Sequence, residues 1–257
     1  MLIASSSGSP AVGVLPAASL SRIRVLFNGH AALDGVSLRA SRAALTVLTG
    51  PNGAGKSTLL EVLAGTRAVN SGTRSVEGTV AFVPQRAAIP PRLPMTVRDV
   101  VTVGAWGRTG LRGRMASDTR RLVQCALERT DIAALARKPF AALSGGQQQR
   151  ALLAQGIVRE ADLLLLDEPT TGLDAASSRR IREIMREEVV RGAAVVCVSH
   201  DSDVIAEGDA IVKLAEGRIA GSTELDAADQ STSRAGSSRM DATSAMNRLM
   251  PSPSITR

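Results

Sequence analysis

The chain has no tyrosine, three phenylalanines and one tryptophan, so aromatics make up only 2% of its 257 residues. A core must therefore rest on Leu, Val, Ile and Ala. The aromatic platform on which single-stranded nucleic acids stack is missing, and a nucleic-acid partner is not expected. Cysteine is as scarce. Cys125 and Cys197 lie far apart and form neither a zinc spacing nor a disulfide framework. Cys197 sits in the apolar run Ala194-Val195-Val196-Cys197-Val198, which predicts a buried, reduced thiol and a cytoplasmic setting. The two histidines, His30 and His200, have no Cys or paired His at ligand spacing, so nothing here would bind a transition metal as cargo. No run reaches the roughly 18 apolar residues that a membrane span needs. If the protein works at a membrane, other chains supply the membrane part. Lysine occurs only at Lys56, Lys138 and Lys213, so the net charge of +7 rests on arginine. That balance fits an anionic surface or simply scattered surface arginine.

What is present is an alternation of strand and helix signals. The start, 1–20, is apolar and Ser-rich with no positive charge before Arg22. That is unlike a secretory signal, and the stretch is expected to be a flexible leader. Period-two alternation predicts strands over 22–27 and 35–39, with Asn28-Gly29 as a turn between them. Residues 44–48 read as a buried strand, 56–64 as a helix ending at Gly65, and 79–83 as a strand stopped by Pro84. From about 87 to 158 the pattern becomes helical, with helices over 96–103, 117–129 and 131–137 and a loop over 104–113. Strand 163–166, helix 175–191 and strand 194–199 follow, then a small strand pair over 210–214 and 218–220. Residues 222–257 are rich in Ser, Thr, Asp, Ala and Arg with little apolar periodicity. Such a segment buries too little surface to offset its ordering entropy, and disorder is expected. An α/β domain is expected over 21–221, with a helical subdomain inserted at about 87–158; no internal repeat is visible, so one chain is expected to make half of a functional pair.

Gly50-Pro51-Asn52-Gly53-Ala54-Gly55-Lys56-Ser57-Thr58 fits the phosphate-loop pattern, with a strand before it and a helix after. Its glycines let backbone N–H groups close around phosphates at a helix N-terminus. Lys56 adds a point charge, and Ser57 can ligate Mg²⁺. Leu163 to Glu168 reads as a buried strand that ends in two acids. Asp167 would hold Mg²⁺ through water, and Glu168 would act as general base on the attacking water. Leu143-Ser144-Gly145-Gly146-Gln147 adds a helix cap at Ser144 and two glycines whose N–H groups are open to an anion. That third motif serves no lone nucleotide pocket. It makes sense when a second copy brings it to the far side of the nucleotide.

Together with Gln85 and His200, these motifs resemble the ATP-binding subunit of ABC transporters over Ser21 to Gly221. The resemblance implies an α/β fold: a P-loop ATPase core with an N-terminal antiparallel β subdomain and an inserted helical subdomain. It implies ATP and Mg²⁺ as cofactors and a head-to-tail dimer of two copies. Ser144 and Gly146 would contact the γ-phosphate bound by the other copy, and Asp174, in Thr171-Gly172-Leu173-Asp174, would cross the dimer interface. Gln85 would sense Mg²⁺ and γ-phosphate, and His200 would contact the γ-phosphate as a switch. The family often stacks an aromatic, commonly Tyr, on adenine. Here Phe27 is the aromatic at a fitting place, and it offers the π-face without the hydroxyl.

The stretch from Pro94-Met95-Thr96-Val97-Arg98-Asp99 through Gly110 looks like that of ATPases in manganese, zinc and iron importers. It implies uptake of a divalent metal ion, with zinc ahead of manganese or iron. The partners would be an integral membrane permease and an extracytoplasmic substrate-binding protein acting through it. The chain would then sit peripherally on the cytoplasmic face of the membrane. Importers of iron chelates and vitamin B12 carry a related stretch, and an exporter ATPase shares the catalytic motifs, so both remain alternatives. A DNA-repair or chromosome ATPase would place long coiled coils or zinc modules between Lys56 and Ser144, where no heptad run and no Cys pair occurs.

Overall fold

The computed structural model describes residues 16–85, 93–109 and 117–224. All but the last of them belong to one unit, Met1–Thr223. The first half runs β1 (Ala18–Phe27), β2 (His30–Ala40), β3 (Ala44–Thr49), α1 (Lys56–Ala64), β4 (Ser71–Val76), β5 (Val80–Val83), α2 (Val97–Thr109) and α3 (Ser117–Arg129). The second half runs α4 (Gly145–Ile157), β6 (Leu163–Asp167), α5 (Ala175–Val190), β7 (Ala194–Val198), α6 (Ser202–Ala206), β8 (Ala210–Ala215) and β9 (Arg218–Glu224).

β1 pairs antiparallel with β2 on one side and β4 on the other. Asn28 and Gly29 at the hairpin tip have φ of 48° and 84°, the left-handed pair that a two-residue hairpin turn needs. β1 begins at Ala18, so the expected leader boundary at Leu20 falls inside the strand. β4 was not expected either. Ser71-Gly72-Thr73-Arg74-Ser75 is exposed throughout and has no apolar alternation; pairing with β1 alone makes it a strand.

The second sheet has the order β5-β6-β7-β3-β8-β9. Its first five strands pair in parallel. β6 and β7 are buried along their whole length, which is why they read as unbroken apolar runs. Side chains alternate between two cores. Leu45, Val47, Leu164, Leu166, Val195 and Cys197 share one core with α5 and the helical block of α2, α3 and α4. Leu48, Leu163, Leu165, Val196 and Val198 face α1 and the antiparallel sheet. The thiol of Cys197 is fully buried, and burial pushes its pKa up, as expected for a protonated core cysteine.

Two expectations in the helical block fail for identifiable reasons. α2 continues past Gly104 through Thr109 where a loop was expected. A Cβ on Gly104 would lie 2.0 Å from the Gln155 carbonyl oxygen of α4, so the glycine lets two helices approach and does not break one. Residues 131–137 form only a 3-10 turn at Ala133–Leu135, because Asp131, at φ 52°, leaves the helical region. β9 runs through Glu224, past the expected boundary at Gly221. The expected leader over 1–15, the stretches 86–92 and 110–116, and the tail over 225–257 lie outside the described residues. Among the described residues, no helix is long and apolar enough to cross a membrane.

Parallel pairing fixes the site. Leu48 lies beside Val198, and Val198 beside Asp167. The C-terminal ends of β3, β7, β6 and β5 therefore line one edge, and the phosphate loop, His200, Asp167-Glu168 and Gln85 all follow from that edge. This is where open parallel sheets bind ligands.

Candidate active site

The phosphate loop leaves β3 at Gly50 and enters α1 at Lys56. Gly50 has φ 137°, and a Cβ there would lie 2.1 Å from the Leu214 carbonyl oxygen. Gly55 has φ 99°, and its Cβ would lie 2.5 Å from the Ala32 carbonyl oxygen. Both positions require glycine, so the loop is pressed between β8 and β2. Ala54 is buried and turns back onto Pro51 through a 3.2 Å backbone bond, while Pro51, Asn52, Gly53 and Ser57 are exposed. Thr58 is half-buried, one turn into the helix. Lys56 is only 6% exposed. Its Nζ donates to the carbonyl oxygens of Gly50 at 2.7 Å and Pro51 at 2.9 Å. The ammonium thus lies against the loop's own carbonyl oxygens.

At the end of β6, Asp167 is 8% exposed. Burial raises its pKa, and the repulsion of Glu168 and Glu61 adds to that; the Ser57 hydroxyl bond and the Lys56 charge oppose it. A buried carboxylate with a hydroxyl partner costs free energy to ionise until a cation arrives. Ser57 and Asp167 are hard oxygen donors, and one carboxylate leaves room for phosphate oxygens and water. That donor set fits Mg²⁺, which is usually held by one or two carboxylates plus substrate phosphates. The carbonyl oxygen of Gln85 would be a third hard donor.

Glu168 is where the expected catalytic residues meet. It has φ 48°, a left-handed conformation that costs a non-glycine residue about 1 kcal/mol. Its backbone N–H is held by the Val198 carbonyl at 3.0 Å. Gln85 Nε2 donates to Glu168 Oε2 at 3.0 Å. His200 Nε2 lies 3.5 Å from Glu168 Oε1. The Thr171 hydroxyl also donates to Oε2, at 3.0 Å. Sequence reasoning passed over Thr171 as a site residue. Its only signal was its place three residues after Glu168 in the same turn.

The Ser144–Gln147 segment is engaged with itself. Ser144 caps α4 by accepting from the Gln147 N–H at 3.3 Å, and the Gln147 side chain accepts from the Ser144 N–H at 3.1 Å. This reciprocal capping box leaves Gly145 open, since nothing lies within 4 Å of a Cβ built there. Gly146 abuts Leu173, whose Cδ2 would be 3.2 Å from its Cβ. Among the described residues, no hydrogen bond joins this segment to the phosphate loop. Asp174 caps α5 by accepting from the Ser177 N–H at 2.8 Å and the Ser177 hydroxyl at 3.1 Å. Those bonds, the N–H first, hold its carboxyl below the usual range. Phe27, at the tip of β1, is 41% exposed, with the Arg67 guanidinium 4.8 Å from its ring centroid.

A family model described as ABC transporter matches residues 33–171, from β2 through the Glu168 turn. The chain belongs to the ABC transporter family. This cassette is an ATPase, and its nucleotide is ATP. Over 180 residues it is 37% identical to the zinc transport system ATP-binding protein TroB of Treponema pallidum, covering 67% of this chain and 68% of TroB. It is 37% identical over 212 residues to the hemin import ATP-binding protein HmuV of Rhodococcus jostii, covering 77% and 71%. It is 34% identical over 190 residues to the manganese transport system ATP-binding protein MntB of Bacillus subtilis, covering 71% and 76%. In fold it is similar to the dimeric bacterial cassette MJ0796, with a TM-score of 0.74 at 23% identity over 81% of this chain and 98% of that one.

Proposed function

We propose that this chain is the ATP-hydrolysing subunit of an importer that takes up a divalent metal ion, zinc ahead of manganese or iron. Two observations in combination support the reading: the meeting of Gln85, Thr171 and His200 around Glu168, and relatives named for zinc and manganese transport. In this reading the phosphate loop's N–H groups and Lys56 bind the β- and γ-phosphates. Ser57, Asp167 and Gln85 hold Mg²⁺, which when bound neutralises phosphate charge. Glu168 takes a proton from water as the water oxygen bonds to the γ-phosphorus and the bond to the bridging oxygen breaks. Gln85 and Thr171 aim the carboxylate, and His200 reaches the γ-phosphate. Phe27 stacks on adenine.

Ser144, Gly145, Gly146 and Gln147 serve the nucleotide of a second copy, packed head to tail, with Asp174 at the crossing. The open face of Gly145 supports this, because its neighbours inside the chain do not fill it. Closure of the pair on ATP and its reopening after hydrolysis form a two-state element. Its stroke passes through the region from Gln85 into α2 to an integral membrane permease. An extracytoplasmic substrate-binding protein delivers the cargo to that permease. The chain works at the cytoplasmic face of the membrane as a peripheral subunit.

A second reading, uptake of a metal chelate, is favoured by the 37% identity to HmuV. Both readings are tested by isotope uptake of zinc, manganese and iron in cells lacking the protein, rescued by wild type or by Glu168→Gln. Loss of zinc uptake, restored by wild type alone, is the expected result. Unchanged uptake of all three metals under limitation overturns the divalent-metal reading and favours the chelate.

A further inference from the structure

We propose that Arg67 is a positioning residue for the adenine of bound ATP, bracing Phe27 from one face so that the base stacks on the other; this rests on the stacking role given to Phe27 above. Phe27 ends β1 at a hairpin tip and is 41% exposed. A ring there turns freely unless something fixes it, and immobilising it on binding weakens affinity. Its fixed neighbour is the Arg67 guanidinium, 4.8 Å from the ring centroid. Arg67 is itself held, since its Nε and Nη2 lie 2.9 and 2.8 Å from Glu61 Oε2, and its N–H donates to the Glu61 carbonyl at 3.2 Å.

Glu61 belongs to α1, the helix that opens at Lys56. The brace therefore ties the base-stacking ring to the element that carries the phosphate loop. A second tie runs beside it. The Asn70 N–H donates to the Arg24 carbonyl at 2.8 Å, and Asn70 Oδ1 accepts from the Leu26 N–H at 2.8 Å. The tip of β1 is thereby pinned to the segment that follows α1. A cation over one face of a ring attracts it electrostatically; the ring is 41% exposed, and the base is assigned to the face away from Arg67. Tyrosine has a hydroxyl with which to anchor its ring; Phe27 has none, and the arginine supplies the anchor.

The experiment is a double-mutant cycle on the full chain, with radiolabelled ATP and inorganic tripolyphosphate as probes in equilibrium dialysis. Phe27→Ala is expected to weaken ATP binding about tenfold, the order of one lost base stack. Arg67→Gln is expected to weaken it about threefold, the order of an exposed cation–π contact, and to leave tripolyphosphate binding unchanged. In the Phe27→Ala background, Arg67→Gln is expected to do nothing further. If Phe27→Ala leaves ATP binding unchanged, the stacking reading falls and the brace with it. If Phe27→Ala weakens binding and Arg67→Gln does not, the brace falls and stacking stands. An Arg67→Gln effect of equal size in both backgrounds, or on tripolyphosphate as well, assigns the residue to the phosphates and overturns the proposal.

Discussion

Gln85 Nε2 donates to Glu168 Oε2 at 3.0 Å, joining the second residue past β5 to the residue that follows β6. Those strands are neighbours in the sheet, so the bond crosses from one loop to the next and not along the chain. It places an amide that precedes the helical block directly on the carboxylate assigned as general base. Glu168→Gln keeps the shape and the hydrogen-bonding reach of that side chain but removes its basicity. Steady-state phosphate release should fall ~100-fold or more, while ATP binding persists and an ATP-bound dimer accumulates on size-exclusion chromatography. Normal turnover in this variant sinks the general-base assignment.

Thr171 shares the same carboxylate oxygen. Its hydroxyl donates to Glu168 Oε2 at 3.0 Å, and a bond to a charged group contributes about 1.5–3 kcal/mol. Thr171→Val removes the hydroxyl at nearly constant shape. It should lower kcat ~10-fold, at about 1.4 kcal/mol per tenfold, with little change in KM for ATP. Thr171→Ser, which keeps the hydroxyl, should recover most of the rate. Equal loss in Val and Ser variants would mean that packing and not the hydrogen bond is responsible.

The site was legible where chemistry and burial coincide. Asp167 and Glu168 stand at the end of a strand that is apolar throughout because both of its faces are covered, and His200 follows a strand of the same kind. Their meeting in space follows from the parallel pairing of those strands. Thr171 was not legible, because a hydroxyl has no pattern that separates a catalytic neighbour from a surface one. Arg67 was hidden for another reason: it meets Phe27 across 40 positions of chain. Among fold elements, β4 was missed because its only reason to be extended is β1 beside it. Gly104 was misread because a glycine that permits close helix packing looks, in sequence, like one that ends a helix.

Lys56 is held by its own loop, with Nζ donating to Gly50 and Pro51 carbonyl oxygens at 2.7 and 2.9 Å. The charge is therefore already in place and need not be drawn from solvent. Lys56→Ala should weaken ATP affinity by at least about tenfold, or ~1.4 kcal/mol, as measured by direct binding and not by turnover. Unchanged affinity contradicts the phosphate-loop assignment.

Asp162 gives a prediction about stability and pH that is independent of the site. Its Oδ2 accepts from the Thr79 N–H at 2.8 Å and the Thr79 hydroxyl at 3.0 Å, and its Oδ1 from Arg42 at 3.1 Å. These partners, the Thr79 N–H first, hold its carboxyl below the usual range in the fold. The unfolded chain then binds more protons than the native one as pH falls below ordinary carboxylate values, so stability rises with pH in that window. The contribution is complete above the ordinary value and is lost as pH falls through the depressed one. Solvent screening at a side chain 40% exposed keeps it below about 1 kcal/mol. Asp162→Asn removes the titration. Urea unfolding of both forms from neutral pH downward should show wild type more stable at neutral pH, with the gap closing in acid as the native carboxyl protonates. A gap that stays constant across that range means the shift contributes nothing to folding.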